Sequence, residues 1–291
     1  MSKHIEGNDY FFVRKGDRAM VSLGPLSSNK HCPYSCAFCY VQDDFQSYAS
    51  VPENQIIEFL EDHRHLYSII YVSGDTDSFA PPRTEKGLSL LLRISKQFDC
   101  DLLFTTRTVF KSAEQFRIIS EITKNQIRKG KELYACVGIT RYSNEVSYLE
   151  PAPIPSPNER IEMLKRLHET GAVTVLAMRP FLPVVPVSDY LKIIEKTKEF
   201  VDIALGEFFY FIREGNIYKR VFPDGISQDI ENDISRGNKM SFDVNNSDWD
   251  IWRSKKYEDI VSTKCKEYDI VFSMHSDCAI KAYKSKNNSK N

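Results

Sequence analysis

No stretch of the 291 residues has the length and apolarity of a membrane-spanning helix, so an integral membrane chain is not expected. Charge of one sign is not in excess either: 39 Lys and Arg face 40 Asp and Glu, for a formal net charge of −1. Bulk electrostatics therefore give no reason to expect binding to nucleic acid or a membrane surface, although a local basic groove is compatible with that balance. Residues 1–8 are polar and lack the apolar core of an export signal. Internal repeats and long low-complexity tracts are absent. The seven cysteines are odd in number, so a disulfide framework is not expected. The reading is a cytoplasmic protein in which clustered cysteines serve a metal or a redox role. Its apolar and charged fractions, 42% and 27%, are those of an ordinary globular protein, long enough to bury a core without staples.

Along the chain, short β-rich runs alternate with amphipathic ones. Strands are expected at Ala19–Leu23, Ser68–Val72, Leu102–Thr106, Tyr134–Thr140, Val173–Met178 and Val201–Leu205. Helices are expected at Pro52–His63, after Thr84 as N-cap, at Ala113–Lys124, at Asn158–Thr170 with Gly171 stopping it, and at Asp189–Phe200. Six such units predict an α/β fold, a partial (β/α)6 barrel. Residues 1–17 read as an N-terminal segment and 18–206 as the barrel core. Residues 207–291 read as a less regular C-terminal extension of the same domain, with a helix near Lys255–Glu267, a strand at Ile270–Ser273 and a frayed, disordered tail from Lys284.

The sharpest feature is Cys32-x3-Cys36-x2-Cys39, on the loop after the first predicted strand. Three close soft thiolates suit an iron–sulfur cluster, zinc or copper(I). An all-cysteine cluster needs a fourth thiolate, and the next cysteine, Cys100, is far along the chain. A missing fourth ligand leaves one iron open to a cofactor. Structural zinc is the alternative; it needs a fourth ligand, and His31 directly abuts Cys32, which strains simultaneous coordination. A second feature is Ser73-Gly74-Asp75-Thr76-Asp77 after the second predicted strand. It joins small residues, which allow close backbone approach, to carboxylates that can accept from an ammonium group. A plain turn with Asx capping is its other reading.

The cysteine spacing at this place in a partial barrel resembles the radical S-adenosylmethionine superfamily. Cys39-Tyr40-Val41-Gln42, Asp75-Thr76-Asp77, Thr105-Thr106-Arg107, Leu149-Glu150-Pro151, Ser156-Pro157, Arg160-Ile161-Glu162 and the stretch Gly171 to Pro180 are similar to its spore photoproduct lyase branch over about residues 20–185. The resemblance implies a 4Fe–4S cluster on Cys32, Cys36 and Cys39, with S-adenosylmethionine on the open iron. Reductive cleavage to a 5′-deoxyadenosyl radical follows, fed by a one-electron donor such as a flavodoxin or ferredoxin. It implies that Phe38, Ser73, Gly74, Asp75 and Thr76 line the cofactor site, with Asp75 or Thr76 beside the methionine amine. Arg107 is a candidate for the cofactor's carboxylate or for covering a helix end, and Arg179 for lining the cavity or for pairing with an acidic neighbour. The chain departs from the lyase in having Gly74 where that enzyme has a hydrogen-donating cysteine, and Phe38 for a relay tyrosine. Tyr40 is retained and is the one catalytic candidate. The expected function is thus a radical enzyme of lyase or oxidoreductase type on an unidentified substrate. The alternatives are photoproduct-lyase-like DNA repair and a non-catalytic iron–sulfur or zinc protein. Cys100 and Cys136 read as core residues, Cys265 and Cys278 as too isolated for a second cluster, His275–Cys278 as a surface turn, and Phe208–Phe211 as packing.

Overall fold

The computed structural model describes residues 4–8, 11–14, 17–24, 32–41, 52–74, 76–240 and 247–289. Contacts divide the chain into two compact units. One comprises Met1–Tyr34, Gln46–Gly138 and Asn158–Val175, the other Ser35–Phe45, Ile139–Pro157 and Leu176–Asn291.

In the first unit, β1 (His4–Asn8), β2 (Phe11–Arg14) and β3 (Asp17–Val21) pair antiparallel in sequence order. The expected N-terminal segment thus supplies two strands. From β3 the pairing turns parallel, through β4 (Tyr67–Val72) and β5 (Asp101–Thr106) to β6 (Leu133–Gly138). The connections carry α1 (Glu53–Asp62), α2 (Thr84–Gln97) and α3 (Ala113–Arg128), and α4 (Pro157–Glu169) follows β6. Strands β5 and β6 are apolar on both faces and almost wholly buried, as helix-covered parallel strands must be. Helix α3 starts at Ser112 because of a capping box: Ser112 Oγ accepts from Gln115 N, and Gln115 Oε1 accepts from Ser112 N. Its Phe116, Ile119, Thr123 and Gln126 recur at helical spacing and are buried. Thr84 is not the N-cap expected of it. Arg83 holds that position, and the Thr84 hydroxyl donates to Phe79 O at 2.7 Å. Phe79, Phe104 and Phe110 form a buried aromatic cluster, with centroids 5.1–6.4 Å apart, beneath the carboxyl end of β5.

Strand β7 (Val173–Ala177) begins in the first unit and ends in the second. The second unit continues with α5 (Val187–Thr197), β8 (Ile203–Leu205), β9 (Phe209–Phe211), α6 (Asn216–Val221), α7 (Gln228–Asn232), β10 (Ile234–Lys239) and β11 (Asp248–Trp252). It closes with α8 (Lys255–Glu267), β12 (Val271–Ser273) and α9 (Ser276–Asn288). Ile139 N donates to Ala177 O, Met178 N to Leu205 O and Gly206 N to Ser273 O, all at 2.9–3.0 Å, so the ends of β7, β8 and β12 lie side by side. β12 pairs in parallel with β8. Seven strands, β3 to β8 and β12, therefore carry the parallel α/β pattern of a partial barrel, one more than the six expected. The extension also holds an antiparallel sheet in the order β10-β11-β9. The chain from Ser276 to Asn288 is one helix, where a surface turn and a frayed tail were expected. Among the described residues, no helix is long and apolar enough to cross a membrane.

Candidate functional site

The carboxyl ends of β3, β4 and β5 meet in the first unit. Past β4 the chain turns sharply at Ser73, whose φ of 68° is rare for a residue with a side chain. Four hydrogen bonds hold it there. Ser73 N donates to Val21 O at 2.8 Å, extending the β3–β4 pairing. Ser73 Oγ donates to Thr76 O at 2.6 Å and accepts from Ser78 N at 2.9 Å, while Ser78 Oγ accepts from Leu23 N at 3.1 Å. Such a backbone costs about 1–3 kcal/mol and persists only where its surroundings over-determine it. The hydroxyl of Ser73 is therefore engaged inside the turn. Asp75, expected beside it, lies outside the described residues.

Asp77 ties this turn to the end of β5. Its carboxylate accepts from Thr106 Oγ1 at 2.9 Å, Arg107 N at 2.8 Å and Phe79 N at 3.0 Å. Burial pushes the carboxyl above its ordinary value, against those bonds and the Arg107 guanidinium. The Cys32 thiol is also pushed up, first by burial and then by the Asp77 charge, while backbone N–H groups of Asp77 and Tyr34 and the Arg83 cation oppose the rise. Arg83 is 7% exposed, donates to Gly24 O and reaches Asp77 O at 3.3 Å; burial lowers its affinity for its proton, and Cys32 and Asp77 raise it. Tyr34 shares a 2.8 Å hydrogen bond with Thr108 Oγ1, which fixes the loop's first half to the end of β5. Arg107 lies against the end of β6. A Cβ on Gly138 would stand 3.2 Å from its Cγ and 3.3 Å from its Cζ, so glycine leaves room for the guanidinium. The fully buried Arg160 donates to Gly138 O at 2.6 Å.

Cys36, Phe38, Cys39 and Tyr40 belong to the second unit. Cys36 and Phe38 are buried, Cys39 and Tyr40 partly so. Cys39 N donates to Cys36 O at 3.1 Å, closing a tight turn, and Ala37 N donates to Leu149 O at 2.9 Å. Arg220 of α6 donates to Ala37 O at 3.0 Å and to Cys39 O at 3.4 Å. Arg179 donates to Gly206 O at 3.1 Å and to Met274 O at 3.4 Å, so it staples the chain just past β8 and β12. Sequence reasoning missed Arg83 and Arg220, because nothing local marks an arginine that serves a loop 59 or 183 residues away.

Among the described residues, no three His, Cys, Asp or Glu side chains come together in a group that could hold a metal ion. The structure therefore does not itself gather Cys32, Cys36 and Cys39. The donor set still fits an iron–sulfur cluster in kind: three thiols within eight residues, two of them on one tight turn. A second observation fits a polar cofactor. Among the described residues, the buried Thr76 Oγ1 and Arg83 Nε have no hydrogen-bond partner, against the rule that buried polar atoms are bonded.

No family model matches the chain. A protein of Methanocaldococcus jannaschii, described only as uncharacterized, is 26% identical over 190 residues, 61% of this chain and 66% of its own length. The chain thus spans just under two thirds of the curated relative it matches. Among solved structures, a spore photoproduct lyase variant superposes with a TM-score of 0.62 at 12% identity, over 88% of this chain and 82% of that one. Another variant of that lyase, with bound S-adenosylmethionine and dinucleoside spore photoproduct, gives 0.59 at 12% identity over the same shares. SuiB of Streptococcus suis bound to S-adenosylmethionine gives 0.58 at 9% identity, over 87% of this chain and 49% of that one. At these identities the likeness is one of fold.

Proposed function

We propose that this protein is a radical S-adenosylmethionine enzyme, with Cys32, Cys36 and Cys39 holding a 4Fe–4S cluster that leaves one iron for the cofactor. One observation carries the reading: the Cys-x3-Cys-x2-Cys spacing stands after the first parallel strand of a fold shared with structures that bind S-adenosylmethionine. What the cluster supplies when bound is the single electron for reductive cleavage of that cofactor. The protein's own residues bind and orient. Thr76 Oγ1, 2% exposed and without a partner among the described residues, accepts from the methionine amine together with Asp75. Arg83 Nε donates to the carboxylate, for which a guanidinium is geometrically suited. The further residues assigned to cofactor binding are Phe38, Arg179 and Arg107, which packs over Gly138. A cytoplasmic flavodoxin or ferredoxin serves as electron donor.

Photoproduct repair is not assigned. The chain has Gly74 where the lyase has a hydrogen-donating cysteine, so this position offers no thiol. Tyr40 is kept as the candidate hydrogen donor, and the reaction type, lyase or oxidoreductase, follows from the substrate. The test is anaerobic reconstitution followed by metal and sulfide analysis. About four iron and four sulfide per chain are expected. Stoichiometric zinc without iron would replace the proposal with a structural zinc site.

A further inference from the structure

We infer that Arg220 is a positioning residue for the second half of the cysteine loop, and that its charge makes the cluster easier to reduce. The inference rests on the radical-enzyme reading above. Cys36 to Cys39 form a turn closed by one backbone bond, and the carbonyl oxygens of Ala37 and Cys39 both accept from the Arg220 guanidinium, at 3.0 and 3.4 Å. The planar fork of an arginine presents two donors at fixed spacing, which a lysine cannot do. The guanidinium is delivered by a short but well-anchored helix. Ile217 and Val221 of α6 are buried one turn apart, Phe222 packs on Phe209 and Phe211 at 6.0 and 5.7 Å, and Tyr148 donates to Val221 O at 3.1 Å. α6 is thereby anchored to β9 of the antiparallel sheet, so the C-terminal extension contributes directly to the geometry of the cysteine turn.

The chemical consequence follows from charge. Reduction adds one electron from an external low-potential donor, taking the cluster from the 2+ to the 1+ state with no bond made or broken. A half-buried guanidinium on the ligand turn favours the more negative form. Charge and hydrogen bonding near the sulfurs are what set such potentials.

The experiment uses the full chain, reconstituted anaerobically, as wild type, R220Q and R220K. Far-UV circular dichroism checks the fold, iron is counted, and the reduced cluster is followed by electron paramagnetic resonance through a redox titration. In R220Q the reduced-to-oxidised ratio at a fixed potential should fall about tenfold, which for a one-electron couple is a midpoint about 59 mV more negative. R220K should keep a midpoint near that of wild type while holding less iron. Loss of iron from folded R220Q supports the positioning role and leaves R220K to report the charge. A wild-type midpoint in iron-replete R220Q, an equal shift in R220K and R220Q, or loss of fold in both would overturn the inference. Wild type that takes up no iron would sink the radical-enzyme reading itself, which is a separate outcome.

Discussion

Removing the Thr76 hydroxyl should move stability and cofactor affinity in opposite directions. The side chain is 2% exposed, and its oxygen has no partner among the described residues, whereas the backbone carbonyl of the same residue is engaged by Ser73 Oγ. Thr76→Val keeps the branched shape and that backbone bond and deletes only the orphaned oxygen. A buried unsatisfied hydroxyl costs about 1–3 kcal/mol. Cofactor-free Thr76→Val should therefore be more stable than wild type by about 1–2 kcal/mol, read as a higher urea midpoint with an unchanged slope. If the hydroxyl accepts from the methionine amine, the same variant loses one hydrogen bond to the cofactor. Titration of S-adenosylmethionine into reconstituted protein should then show about 3–10-fold weaker binding. A lower urea midpoint would mean that the hydroxyl is satisfied in solution. Unchanged affinity with raised stability would mean that it faces no ligand.

Three further expectations follow from other parts of the structure. Cys36→Ala should lose most cluster iron, whereas Cys100→Ala, Cys136→Ala, Cys265→Ala and Cys278→Ala should each keep it; iron analysis showing a whole cluster lost from any of these four would expose a second site. Gly138→Ala should cost about 1–3 kcal/mol by crowding Arg107, and should cost little in an Arg107→Ala background; additive costs in this double-mutant cycle would show that the two do not touch. The fully buried Cys265 thiol is pushed up to about 12 from 9.0 by burial. Its folded value lies above its unfolded one, so its contribution is complete below pH 9 and lost as pH rises toward 12. That loss is worth about 4 kcal/mol in all, and Cys265→Val should flatten the alkaline fall in stability; an identical fall in the variant would assign it to other groups.

The barrel was legible because β-branched runs and amphipathic runs alternate, and each is a local signal. Val173–Ala177 and Ala113–Arg128 lie within a few residues of where their side-chain patterns put them. What was not legible depends on pairing between distant residues. Phe209 and Phe211 are buried as expected, yet their strand is recognisable only beside Asp248–Trp252, 39 residues on. The helix at Ser276–Asn288 has a Lys- and Asn-rich surface and buries little beyond Ser276 and Ala279, so its sequence reads as a tail. Thr84 looked like a cap because threonine before an apolar run usually is one; here its hydroxyl finds Phe79 O instead. The cysteine triplet stands out by its spacing alone, and its role as a ligand set rests on that spacing, since the structure does not gather the three thiols. Arg83, Arg220 and the bridging role of Asp77 were not, because each acts on an element that only the fold brings near it.

The most direct measurement is product analysis of the anaerobically reconstituted protein mixed with S-adenosylmethionine and dithionite. A radical enzyme with a three-thiolate cluster should release 5′-deoxyadenosine and methionine in equal amounts, and Cys36→Ala should release neither. Iron-replete wild type that leaves the cofactor intact, or a Cys36→Ala variant that cleaves it as well as wild type, would contradict the assignment.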